Sequence, residues 1–127
     1  TKKVEAAFYN ELWDAGYLTI REAHFDRELS SHKCDMMVLC GNMEIFIEVD
    51  GLEHGSTVKR EADEAFHELF RENRKESQFL VRIPDTLDPE ALRVWVEDLE
   101  NIVLNPVSRL IGTNLEENGQ NPVFLEL

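Results

Sequence analysis

The stretch DMMVLCGNMEIFIEVD, residues 35–50, sets two apolar-rich runs on either side of Gly41-Asn42. That dipeptide suits the positive backbone angles of a tight two-residue hairpin turn. With the turn placed there, paired residue numbers sum to 83. Cys40 faces Met43, Val38 faces Ile45 and Met36 faces Ile47, making one apolar face. Asp35, Met37 and Leu39 share the other face with Glu44, Phe46, Glu48 and Asp50. Asp35 then lies directly across from Glu48, and Lys33 across from Asp50, where the ladder begins to fray.

Directly opposed side chains have Cβ atoms about 5 Å apart, and like charges there repel. A proton shared between Asp35 and Glu48 would relieve that repulsion by raising one carboxyl pKa. A cation held by both would do the same, and hard divalent ions prefer oxygen ligands. Asp50 adds a third carboxylate two residues on. Gly51 permits a sharp exit from the strand, and His54 stands four residues beyond Asp50. An imidazole titrates near neutrality and suits general acid or base work.

The flanking sequence supplies the rest of an α/β unit. Lys3 to Ala15 reads as a helix with Val4, Ala7, Phe8, Leu12 and Ala15 on one stripe, stopped by Gly16. Leu18 to Phe25 reads as a strand. Thr57 to Lys75 reads as a helix through Val58, Ala62, Ala65, Phe66, Leu69 and Phe70. Gln78 to Ile83 reads as a buried strand. Asp88 to Leu104 reads as a helix, with Pro89 in its first turn and Asn105-Pro106 ending it. A short strand at Val123 to Leu127 closes the chain. The strand–helix–strand step from Met43 to Ile83 is long enough for a parallel crossover. The expected fold is α/β, a mixed central sheet flanked by helices in the order αβββαβα. Residues 1–106 form the domain, and 107–127 are a C-terminal extension of it.

The chain has 127 residues, enough for one core. Its net charge of −13 speaks against a passive nucleic-acid binder. The excess is uneven: residues 1–84 hold 17 acids and 11 bases, and residues 85–127 hold 9 and 2. A bound divalent ion would cancel part of it. Cys34 and Cys40 fall on one strand, too far apart for a disulfide, which fits a reducing, intracellular setting. No apolar run reaches membrane-spanning length. The chain starts at Thr1, as a piece trimmed or excised from a longer protein would.

The run Ile45 to His54 resembles the IEVDGxxH signature of restriction-endonuclease-like domains, the PD-(D/E)XK superfamily. The branch it resembles most contains very-short-patch mismatch-repair endonucleases and related phage and homing endonucleases. The resemblance spans residues 4 to 84. Glu5 matches the glutamate that opens the first helix, and Glu22 with Phe25 matches the following strand. Asp35 matches the metal-binding aspartate, and Glu48 and Asp50 match the paired acids. His54 matches the histidine, Asp63 an acid near the start of the next helix, and Arg82-Ile83 the end of a late strand. The wider superfamily has a lysine where this chain has Asp50. Lys33 and Lys59 are geometric substitutes for it, and Met36 stands where an aromatic is usual.

The resemblance implies an endonuclease using Mg²⁺ or Mn²⁺ on DNA, in a cytoplasmic phage or bacterial setting. Asp35, Glu48, Asp50 and the Val49 carbonyl would hold the metal. His54 would be the acid or base, and Glu5 would orient water. A homodimer or a separate DNA-binding domain would supply affinity. The alternative is an inactive module of the same fold that binds RNA, as the similar RAP domains do, or a protein partner. Glu11 falls inside the apolar stripe of the first helix. A buried lone carboxylate is costly, so Glu11 faces the polar site, pairs with an arginine, or carries its tip out to the surface. Trp13 and Trp95 are expected to pack rather than stack on bases.

Overall fold

A computed structural model describes residues 2–50, 57–104 and 123–124, with side chains placed for 2–49, 61 and 63–98. The elements are α1 (Lys2–Asp14), β1 (Leu18–His24), β2 (Lys33–Cys40), β3 (Met43–Asp50), α2 (Thr57–Asn73), β4 (Gln78–Pro84), α3 (Pro89–Leu104) and β5 (Val123–Phe124). The sheet order is β1-β2-β3-β4-β5. Strands β3 and β4 run parallel, as the α2 crossover requires. The other neighbours are antiparallel. The mixed α/β class and the order of elements are as the sequence implied. Among the described residues no helix is long and apolar enough to cross a membrane.

The hairpin has the expected register from Cys40↔Met43 to Met36↔Ile47. Its turn differs in one detail. Gly41 takes a left-handed backbone (φ +57°), whereas Asn42 does not. A glycine at the first central position alone is the mirror-image type II pattern. At the end of α1, Gly16 (φ +94°) lets its N–H reach Trp13 O at 2.9 Å and Tyr17 N–H reach Leu12 O at 2.9 Å. These two bonds close the helix.

The sheet separates two cores. On one face Phe8 and Leu12 of α1 and Leu92, Trp95 and Val96 of α3 pack on Met36, Val38, Ile45, Ile47, Val49, Val81 and Ile83. On the other, Phe66 and Phe70 of α2 pack on Cys34, Met37, Phe46 and Leu80. Burying both faces explains why β3 and β4 read as nearly continuous apolar runs.

One strand breaks its alternation. Cys34 lies in the α2 core and Met36 in the α1–α3 core, although they are two residues apart. An unbroken strand would place both on one face. The backbone turns over at Asp35. Its neighbour in β1 is Glu22, which has φ +51°, and the β1–β2 register skips this pair. A non-glycine residue in the left-handed region is uncommon and locally costly.

Candidate functional site

The flip at Asp35 separates the two acids that strict alternation had placed face to face. Asp35 does not continue the ladder opposite Glu48, because the β2–β3 register stops at Met36↔Ile47. Its Oδ2 instead accepts the Val49 N–H at 2.6 Å, and when protonated its carboxyl donates to Glu5 in the first turn of α1. Glu48 stays in regular alternation and turns to the α2 face. Its Oε1 accepts from His32 Nε2 at 2.9 Å and its Oε2 from His67 Nε2 at 2.8 Å. An ionised carboxylate only accepts, so both imidazoles carry a proton on Nε2.

The two environments drive the acids in opposite directions. Burial raises the Asp35 carboxyl, the Val49 N–H lowers it, and the charges of Glu5 and Glu48 raise it further. The result is a pKa of about 6. Glu48 is also buried, which alone would raise it. The hydrogen bonds and charges of His32 and His67 win, and hold it at about 2. Glu48 in turn raises His32, against its burial.

His32 is well fixed. The Asp26 Oδ1 accepts from Glu28 N–H at 2.9 Å, and Ser30 N–H returns to Asp26 O at 3.0 Å. Ser30 Oγ then accepts the His32 N–H at 3.0 Å. The His32 ring stacks on Phe66 with centroids 4.1 Å apart and planes 21° apart. Cys34 completes this side: the ligand atoms of His32, Cys34 and Glu48 all lie within 4.8 Å of one another. The thiol is fully buried, and burial pushes its pKa well up.

The remaining expected residues divide clearly. Glu5 does meet Asp35, and Arg21 Nη2 reaches Glu5 Oε2 at 3.5 Å. Glu11 takes the arginine alternative: Arg93 Nε of α3 donates to its Oε1 at 3.1 Å. Glu22 is exposed, and Phe25 packs on Phe46, Phe66 and Phe70. Lys33 is exposed and pairs with His24 in β1, and the β2–β3 register ends at Met36↔Ile47, before it reaches a Lys33–Asp50 pair. Asp63 is half-buried and adds its charge at His32. Trp95 packs in the core, whereas Trp13 is 43% exposed and donates from Nε1 to Thr19 O at 3.1 Å. Asp50 is described only by its backbone, beside Pro84 of β4. His54 and residues 51–56 lie outside the described residues, as does the side chain of Lys59.

Sequence reasoning missed His32, Cys34 and His67. The signals were a His-x-Cys spacing at 32–34 and a histidine beside Phe66 on the buried stripe of a helix. No protein-family model matches the chain, and no curated protein or solved structure matches it either.

Proposed function

We propose that the chain is a metal-dependent nuclease of the restriction-endonuclease-like kind, hydrolysing DNA phosphodiesters at the fork where β2 and β3 part. The observation that carries this reading is the Asp35–Glu5 carboxyl pair, anchored on the Val49 N–H. Two carboxyls crowded together, one raised to about 6, mark an excess of negative charge and hard oxygen donors. That donor set fits Mg²⁺ or Mn²⁺. Asp35 and the Val49 carbonyl would hold the ion, with Asp50 next in the chain. Such an ion supplies an acidified water and neutralises charge growing on the phosphoryl group. Glu5 orients water from α1, and His54 serves as acid or base. Glu48 has a different task in this scheme, because its oxygens are engaged on the α2 face.

The Asp35→Asn variant keeps the shape and its hydrogen bond to Val49 but loses the charge. Cleavage of supercoiled plasmid in Mg²⁺ or Mn²⁺ is expected to fall by more than about 100-fold, beyond the loss typical of outer partners. Undiminished cleavage by a folded variant would remove the assignment. A second reading, an inactive module of this fold binding RNA or a basic protein surface, is favoured by one observation. The engagement of Glu48 by two histidines leaves the Asp35 side one acid short of the expected set. Metal-independent binding without cleavage by the wild-type chain would select it.

A further inference from the structure

We propose that His32, Cys34 and Glu48 form a second metal site, specific for zinc-class ions, which staples the 26–32 loop to the sheet under α2. It lies on the α2 face, whereas Asp35 turns to α1, and it does not depend on the nuclease reading.

The donor set is the first argument. Imidazole, thiolate and one carboxylate oxygen are ligands for Zn²⁺ or Co²⁺, whereas Mg²⁺ prefers oxygen alone. Charge is the second. A doubly charged ion with the Cys34 thiolate and the Glu48 carboxylate sums to zero, the state a buried site requires. Loading releases the Cys34 thiol proton and, from the imidazolium form of His32, its Nε2 proton as well. From neutral His32 the proton moves to Nδ1.

Geometry is the third. Zinc bonds of 2.0–2.3 Å in a tetrahedron space the ligand atoms by roughly 3.3–3.8 Å. The three atoms already lie within 4.8 Å of one another. Loading therefore draws the set together by at most about 1.5 Å while moving His32 Nε2 and Glu48 Oε1 apart from 2.9 Å. Preorganisation is the fourth. His32 is held by Ser30 and stacked on Phe66, and His67 holds the other Glu48 oxygen at 2.8 Å. His67 is a positioning residue of the kind that fixes a ligating carboxylate. The His32 side chain is 25% exposed, which gives an ion a route in.

The test uses the whole chain, stripped with chelator and titrated with Co²⁺. One thiolate-bound ion per chain is expected, read from a thiolate-to-cobalt charge-transfer band in the near ultraviolet. Zinc should bleach the band, and a large excess of Mg²⁺ should not. Asp35→Asn should keep the band. Cys34→Ser should lose it, with affinity falling on the order of 100-fold or more, and His67→Gln should weaken binding by about 10-fold. The proposal is overturned if saturating Co²⁺ gives the folded wild-type chain no charge-transfer band. It is equally overturned if the band survives in Cys34→Ser.

Discussion

Asp35 and Glu48 are two carboxylic acids on adjacent strands of one hairpin, both largely withdrawn from water, yet they end about four pH units apart. Asp35 has acids for neighbours and is raised to about 6, and Glu48 has two imidazoles and is lowered to about 2. Burial is common to both and cannot account for the difference. Partners decide it, and a backbone flip of one residue decides the partners. Had β2 kept its alternation past Met36, Asp35 would have faced Glu48 across the hairpin. Environments that drive two acids apart in this way divide them into a proton carrier and a fixed charge.

The contrast is strongest in stability. Glu48→Gln leaves two imidazole donors facing a single acceptor oxygen and an amide. A loss of about 2–4 kcal/mol is expected from urea unfolding at pH 7, the cost of breaking a buried charge-assisted network. Unchanged stability would mean that the histidines do not hold α2 through Glu48. Asp35→Asn should have the opposite sign. The native state keeps Asp35 crowded by acids, so removing its charge should add about 1–2 kcal/mol at pH 7, after allowance for solvent screening. A loss instead would mean that Asp35 is held by attraction rather than strained by repulsion.

The pH dependence follows from the same signs. Glu48 is lowered from its ordinary 4.5, so its contribution is full above that value and fades as pH falls towards about 2. Asp35 is raised from 3.8, so its contribution is full below that value and is lost as pH climbs through about 6. His32 is raised from 6.5, so its share is full below that pH and is lost as pH rises through the folded value. Urea midpoints measured against pH should therefore lose their slope between 3.8 and about 6 in Asp35→Asn, and their acid limb in Glu48→Gln. A smaller effect belongs to Arg21. It lies 3.5 Å from Glu5 with its side chain 40% exposed, so Arg21→Ala should move stability by less than about 0.5 kcal/mol. A larger change would mean that the arginine shares the acid cluster.

Much of this was legible in the sequence. The Gly41-Asn42 turn and the period-two pattern placed every hairpin pair from Cys40↔Met43 to Met36↔Ile47. The helical stripes placed Phe8, Leu12, Phe66 and Phe70 in the cores. Glu5 was legible beside Asp35, though through resemblance rather than periodicity. The position of Asp35 was not, because alternation carries no mark of where it stops. The flip is coupled to a left-handed Glu22 in the neighbouring strand, and glutamate gives no hint of that backbone. The partners of Glu48 were hidden for another reason. His32 and His67 come from a loop and a helix 16 and 19 residues away, brought in by tertiary packing alone.

A carbon-detected titration of the side-chain carboxyls, with Asp35 and Glu48 assigned in one sample, reads both environments at once. Asp35 should titrate with a midpoint near 6 while Glu48 stays ionised down to about 2, and Glu5→Gln should bring the Asp35 midpoint down. Two overlapping titrations near 4, the ordinary carboxyl range, would contradict the division of the hairpin into a crowded acid and a fixed one.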